Sequence, residues 1–361
     1  MDTLPLVLLL KIAKDSFEVY RVLVFSIPKI GRWSLNTWYQ EYIQRKFTKC
    51  FEYNPPIEGI IKAYRIGNSG RLHNIDGPAM IFDNGLAHWY KNGKLHRPQR
   101  DGPALTYINS DKFWYQNGKL HRDDDLPAVM LNNGTLKWYK NDLLHRDNGP
   151  AIIYSDGRKE WRQNNKLHRK DGPAVIHCDG HKEWFLNDQI HRDGDLPAVE
   201  GCNGDLEWYE YGERHRGSDL PAVQFTNGHR EWWFCGVRHR NNNDPAIIYR
   251  DGSKEWYKNG KRHRDNDKPA VEFKNNVKEW WVNGKRHRDG YSPAIMLNNG
   301  RREWYKNGKL HRDNDKPAVV YKNMIREWWM DGKKHRENGP AVILFGKGTE
   351  WWVNGIMKKS I

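Results

Sequence analysis

No stretch of the 361-residue chain holds about 20 consecutive apolar residues, the length a membrane-spanning helix needs. The apolar run near the start does not read as a secretory leader. Asp2 precedes it, no basic segment opens it, and Lys11 and Lys14 cut it short. Cysteine is scarce: Cys50, Cys178, Cys202 and Cys235 show neither metal-site nor disulfide spacing. Free thiols in a reducing compartment follow, so a cytoplasmic protein is the expectation. Catalytic signatures are missing as well. His-Arg-Asp occurs six times, as at His121-Arg122-Asp123 and His311-Arg312-Asp313. In a protein kinase that tripeptide needs a Gly-rich loop, an Asp-Phe-Gly and a downstream Asn, all absent here. A catalytic base does not come in six copies, so no enzyme is expected. Acidic loops such as Asp123-Asp124-Asp125 and Asp193-Gly194-Asp195 lack the loop length and closing Glu of a calcium hand. Neither a metal nor another cofactor is expected.

What the chain does have is tryptophan at a regular interval. Trp89, Trp114, Trp138, Trp161, Trp184, Trp208, Trp232, Trp256, Trp280, Trp304, Trp328 and Trp351 recur every 23 to 25 residues. A period in that range marks a repeat protein, whose units bury their aromatics against their neighbours. Each unit carries a Pro-Ala pair, the Trp and then a His. Pro to Trp is 11 residues in every unit, and Trp to His is 7 wherever both occur. Only His to the next Pro varies, from 5 to 7 residues. Paired strands resist a change of length because a one-residue slip turns each side chain to the wrong face, whereas surface loops tolerate it. The stretch from Pro through His is therefore the structured module, and His to Pro is the exposed loop.

Two turn signals lie inside the module. Asn or Asp stands six residues after each Pro except at Gly346, as in Asp156-Gly157 and Asn299-Gly300. Gly, Asn or Asp stands four residues after each Trp, as at Gly93, Asp142 and Gly260. These residues accept the positive φ that tight antiparallel turns demand. Short β-type runs lie between, such as Ala151-Ile152-Ile153-Tyr154 and Lys159-Glu160-Trp161. One unit reads as strand, turn, Trp strand, turn, His-Arg arm and loop, with Pro at the strand's entry. Strand alternation sets Trp on the inner face, and its preceding Glu and the residue after it on the outer one. Burying one Trp contributes about 4–6 kcal/mol at most. Ordering a whole unit costs more, at about 1–2 kcal/mol per residue, so stacking is obligatory.

A second period overlies the first. The residue after Trp alternates through Tyr209, Trp233, Tyr257, Trp281, Tyr305 and Trp329, and Asp265-Asn266-Asp267-Lys268 returns as Asp313-Asn314-Asp315-Lys316. Paired duplication is favoured over different surroundings for alternate units. The array starts raggedly: Tyr64 and His73 stand where a degenerate capping unit would place its Trp and His. The formal net charge is +15. Cross-strand ion pairs on a solvated face are the plain reading, and an anionic partner the other. Repeat His residues would lie about 10 Å apart, two strands per unit, too far to share one metal ion. They are expected to pack beside Trp and bond a loop carbonyl, while Arg stacks on an aromatic or forks onto the following Asp.

Residues 1–50 differ from the rest, with apolar spacing of helical type at Leu6, Leu9, Leu10 and Ala13 and at Val19, Leu23 and Phe25. Ser34 is placed to cap a third helix carrying Leu35, Trp38, Tyr42 and Ile43. The expected organisation is an α-helical module (1–50), a connector with a degenerate capping repeat (51–77), a β-repeat array (78–355) and a short basic tail (356–361).

Written out, Trp-Tyr-Lys-Asn-Gly-Lys-Leu-His-Arg resembles the MORN family, best at residues 89–97, 114–122, 256–264 and 304–312. It departs in having Arg where that family commonly has Gly after His, in the added Pro-Ala, and in an extra residue before the turn; the variant MORN class is nearest. The resemblance implies a mainly β fold, an elongated open array of about twelve antiparallel hairpins serving as a scaffold or binding surface. The whole chain resembles multicopy repeat proteins of large DNA viruses that infect amoebae, which would place it in host cytoplasm. Leu4-Pro5, Leu8-Leu9 and Ile12 resemble the opening of an F-box, with Val22, Leu23 and Ile27 as its second apolar run and a looser match at Arg32-Trp33. That resemblance implies that Leu4, Pro5, Leu8, Leu9 and Ile12 contact a Skp1-like subunit of a cullin-RING ubiquitin ligase. The expectation is a monomeric, non-enzymatic adaptor whose array holds an unknown protein target. The alternative is a scaffold or electrostatic binder of acidic lipid or nucleic acid with no ligase link.

Overall fold

The computed structural model describes residues 60–66, 70–74, 76–346 and 348–361. The helical module expected over 1–50, with Leu4, Pro5, Leu8, Leu9 and Ile12, lies outside the described residues. Within them the protein is mainly β, a long array of repeated antiparallel hairpins. The one helical element among the described residues is the 3-10 turn Gln99–Asp101. None of their helices is long and apolar enough to cross a membrane. The array falls into two compact units, one ending at His168 and the other beginning at Arg169.

A single repeat shows how the chain is routed. Ile247–Ile248 pairs with Lys254–Glu255, Ile247 opposite Glu255. Lys254–Glu255 pairs in turn with Val271–Glu272 of the next repeat, Glu255 opposite Val271. This two-sided pairing builds the ladder. The chain leaves it at Trp256, whose N–H donates to the Ala270 carbonyl (2.8 Å) while its own carbonyl accepts from the His263 N–H (3.1 Å). Tyr257–Lys258 then pairs with Lys261–Arg262 in a separate two-stranded sheet, the arm. The segment expected as one Trp strand is thus two strands in different sheets, with Trp as the corner. The cause is local: the two sides of the Trp peptide find different partners, the next repeat's Ala and its own repeat's His. In the first unit the ladder contains Leu105–Thr106, Lys112–Phe113, Val129–Met130, Leu136–Lys137, Ile152–Ile153 and Lys159–Glu160. In the second it runs from Val175–Ile176 to Ile356–Ser360.

The register explains the Pro-Ala pair. One residue beyond Ile247↔Glu255 and Glu255↔Val271, Trp256 stands opposite Ala246 on one side and Ala270 on the other. The indole fits between two Cβ atoms because neither carries anything larger. All twelve such alanines, from Ala79 to Ala341, are 0% exposed. Trp114, Trp138, Trp184, Trp208, Trp232, Trp256, Trp280, Trp304 and Trp328 are 4–8% exposed. Trp89, Trp161 and Trp351 are half-buried.

The two turns differ although both use Asn-Gly or Asp-Gly. In the arm turn both central residues have positive φ, as at Asn259 (49°) and Gly260 (76°), the geometry that matches the twist of the strands. In the ladder turn only the later residue does, as at Gly252 (87°). There the Asp251 carboxylate accepts the Ser253 N–H (2.8 Å), a local side-chain bond that holds the acid in a normal conformation.

The ends of the array follow the same grammar. Tyr64 takes the Trp position: its N–H donates to the Ala79 carbonyl (2.8 Å) and its carbonyl accepts from His73 (2.9 Å). Residues 356–361, expected as a tail, instead begin with a strand. Ile356–Ser360 pairs with Gly348–Val353 through a turn at Asn354 and Gly355. Here the Trp strand is continuous and pairs with the strand that follows it, Trp351 opposite Lys359.

Candidate interaction surface

The ladder face opposite the tryptophans carries one Glu per repeat from Glu160 onward, at 160, 183, 207, 231, 255, 279, 303, 327 and 350. These carboxylates were expected on a solvated face. Instead Glu160, Glu255 and Glu303 are 2%, 4% and 7% exposed. The register gives the reason. From Glu183 to Glu327 each Glu stem lies between two aliphatic residues of adjacent strands, as Glu255 lies between Ile247 and Val271. A buried carboxylate needs partners, and the repeat supplies them.

One partner is the residue after Trp. Tyr209, Tyr257 and Tyr305 donate their hydroxyls to Glu207 (2.8 Å), Glu255 (2.8 Å) and Glu303 (3.0 Å). Trp233, Trp281 and Trp329 donate their indole N–H to Glu231 (2.8 Å), Glu279 (2.9 Å) and Glu327 (2.9 Å). The alternation of Tyr and Trp is therefore chemically uniform: each is an aromatic with a donor at its far end. Burial, followed by the Glu207 hydrogen bond, pushes the Tyr209 hydroxyl up to about 12. Burial and the Glu303 charge do the same to Tyr305, also to about 12.

The second partner is an arginine from the arm. Arg214 donates to Glu207 (2.9 Å), Arg238 to Glu231 (3.3 Å), Arg262 to Glu255 (2.9 Å) and Arg286 to Glu279 (3.4 Å). Burial works against the Arg262 charge, but the Glu255 hydrogen bond carries its pKa above the usual value. Burial likewise raises the Glu231 carboxyl, and hydrogen bonds from His229 and Trp233 with the Arg238 charge bring it below its ordinary value.

These arginines also lie between successive aromatics. Arg214 lies 5.6 Å from the Tyr209 ring and 5.2 Å from Trp233. Arg238 follows at 4.9 Å from Trp233 and 5.8 Å from Tyr257. Arg262 sits 5.8 Å from Tyr257 and 5.2 Å from Trp281, and Arg286 sits 5.1 Å from Trp281 and 5.7 Å from Tyr305. The result is an unbroken row of alternating aromatic and guanidinium groups, Tyr209 to Tyr305, whose Arg side chains are 36–38% exposed. Beside it opens a groove of about 760 Å³ lined by Phe225, His229, Glu231, Tyr249 and Phe273.

The variable loops are tied down by a different set. Arg288 stacks 3.9 Å from the Trp280 ring, donates to the Pro293 carbonyl (3.2 Å) and forks onto Asp267 (2.8 Å to each oxygen). The Asp267 carbonyl accepts the Trp280 indole N–H (3.0 Å). The fork reaches the Asp 21 residues back, not the Asp after Arg that was expected. The same set recurs at Asp125, Asp195, Asp219 and Asp315 with Arg146, Arg216, Arg240 and Arg336. The repeat His was expected to bond a loop carbonyl, but at His263 other partners take its ring nitrogens. His263 Nδ1 accepts the Asn283 N–H of the next arm (3.2 Å), and its Nε2 donates to Asp265 (2.8 Å). Both ring nitrogens are used in pinning neighbours, which fixes the neutral tautomer.

The rows place the repeat tryptophans under the loops and the Tyr–Arg–Trp row on the opposite ladder face. The sequence held a signal for the second row, the alternation after Trp, but periodicity alone carries no information about which aromatic end meets which carboxylate. No protein-family model matches the chain, and the sequence of no curated protein matches it. The hairpin array is compatible with a MORN-like repeat.

Proposed function

We propose that the protein is a non-enzymatic protein-interaction adaptor. The array would hold a protein target on the face formed by the Glu, aromatic and Arg rows, and the F-box-like segment would bind a Skp1-like ligase subunit through Leu4, Pro5, Leu8, Leu9 and Ile12. The observation that carries the reading is the row from Tyr209 to Tyr305. Tyr, Trp and Arg dominate the energetics of protein–protein contacts. Each Arg in the row is half-exposed and already neutralised by its own Glu, so the row offers flat stacking area and directed donors with little net charge. Mechanism here means proximity: a target held near a ligase reacts faster without any bond chemistry in this chain. Purified Skp1 should co-elute with the full chain, and Leu8→Ala with Leu9→Ala should abolish that. Co-elution that survives the double change rejects the ligase link.

A second reading rests on a different row. Lys261, Lys285, Lys309 and Lys333 are exposed at the same position of successive arms. They would suit an acidic lipid surface or a nucleic acid. Binding to anionic vesicles or RNA that weakens steeply with salt and is lost when these four become Glu would favour it. Salt-independent binding would count against it.

A further inference from the structure

The repeat of Glu183 departs from the rule that satisfies most of the Glu row. After Trp184 stands Phe185, which has no donor, and the arm position that holds Arg214 or Arg238 elsewhere holds Ile190. Glu183 therefore lacks both usual partners. Two histidines replace them. His177 and His181 flank the ladder turn, and the register Val175↔Glu183, Ile176↔Lys182 continues to set them opposite each other. The His177 N–H donates to the His181 carbonyl (2.8 Å) across the turn, and Gly180 has a φ of 91°. Alternation then brings His177, His181 and Glu183 to one face. Both imidazoles direct Nε2 at the same carboxylate oxygen, His177 at 3.3 Å and His181 at 3.1 Å. The rings meet edge to face, centroids 5.0 Å apart.

We propose that His177, His181 and Glu183 form a binding site for one divalent first-row transition-metal ion. Bonds of about 2.0–2.2 Å at a tetrahedral angle put neighbouring ligand atoms about 3.3 Å apart, and the two measured His–Glu separations match that edge. All three ligand atoms lie within 4.8 Å of one another. Two imidazoles and one carboxylate suit Zn²⁺ or Cu²⁺ better than Mg²⁺ or Ca²⁺. The side chains are 32%, 28% and 26% exposed, so an ion can enter and a fourth position is left for water or for a ligand from a bound partner. The placement is confined to this repeat. Across the twelve repeats, His occupies both turn positions only here; the same positions hold Phe225 with His229, Tyr249 with Ser253, and Phe273 with Val277. In the repeat His column a ring such as His263 already has both nitrogens engaged.

The test uses the full chain, titrated with Zn²⁺ by calorimetry and with Co²⁺ by visible absorption. His177→Phe with His181→Ser installs residues that other repeats carry at these positions, and far-ultraviolet circular dichroism checks that the variant is folded. The expected result is one Zn²⁺ per chain, a tetrahedral Co²⁺ spectrum, and affinity reduced more than about 100-fold in the double variant, beyond the 10–100-fold that loss of an outer partner costs. Glu183→Gln should weaken binding as well and alter the Co²⁺ spectrum. No saturable one-to-one Zn²⁺ binding to the wild-type chain, or equal affinity in the double variant, would overturn the proposal.

Discussion

In the loop before Trp280, Asp267 receives the indole N–H on its carbonyl and the Arg288 fork on its carboxylate. In the loop before Trp304, Tyr291 offers the carbonyl (2.8 Å) and no carboxylate. Arg312 still stacks 3.7 Å from Trp304 and still donates to the Pro317 carbonyl (3.1 Å), but its Nε is buried without a hydrogen-bond partner. Burial, with no anion beside it, pulls the Arg312 pKa below its ordinary value. The comparison separates what the loop needs from what it adds. In both loops the backbone carbonyl on the indole and the Arg on the ring are kept; at Trp114 the Arg122 stack is kept while the indole N–H is buried without a partner. The carboxylate is an addition that varies from repeat to repeat.

The largest effect should come from removing what both repeats share. Trp280→Ala and Trp304→Ala should each lower stability by about 3–5 kcal/mol in denaturant unfolding, since each leaves a cavity against two alanines. A loss under about 1 kcal/mol in either would break the claim that the indole columns hold neighbours together. Ala294 touches the comparison from the other side. It accepts the Trp280 N–H on its carbonyl (2.8 Å) and lies in register with Trp304. Ala294→Leu should cost about 1–3 kcal/mol by overpacking both rings at once. An unchanged midpoint would show that the Pro-Ala pair is kept for another reason.

A smaller effect isolates the carboxylate. Asp267→Ala should cost about 1 kcal/mol, since the fork is well formed but the Asp is largely exposed. The effect should depend on pH with a definite sign. The Arg288 hydrogen bond holds the Asp267 carboxyl below its ordinary value. Its contribution is therefore present above the unfolded value of about 3.9 and lost as pH falls through the folded value. The wild-type advantage over Asp267→Ala should be full at neutral pH and shrink below about pH 4. An advantage that persisted at low pH would assign it to packing. Smallest is the reverse change: Tyr291→Asp should gain at most about 1 kcal/mol by giving Arg312 an anion. A larger gain would mean that the missing carboxylate strains that loop.

Much of the repeat was legible in the residues. The constant Pro-to-Trp and Trp-to-His spacings marked the paired module, and the varying His-to-Pro spacing marked the loop, because register is rigid and loop length is not. The break at Trp256 was not legible. A run such as Lys254-Glu255-Trp256-Tyr257-Lys258 has the pattern of one strand whether or not its two halves pair with different sheets. The burial of Glu255 was hidden for a related reason. Alternation placed it, together with Tyr257, opposite Trp, but did not say that the Tyr257 hydroxyl and the arm's Arg262 would bond its carboxylate. His177 and His181 escaped notice because they stand outside the repeat His position and converge only through the hairpin register.

By itself the order of residues determined the period, the turn positions and the alternation, because these are properties of spacing along a chain. Tertiary structure alone decided which carbonyl takes each indole, which Asp each Arg reaches, and where two histidines and a glutamate meet. Those contacts join residues 13 or 21 positions apart or across a turn, and only the folded register brings their atoms within bonding distance.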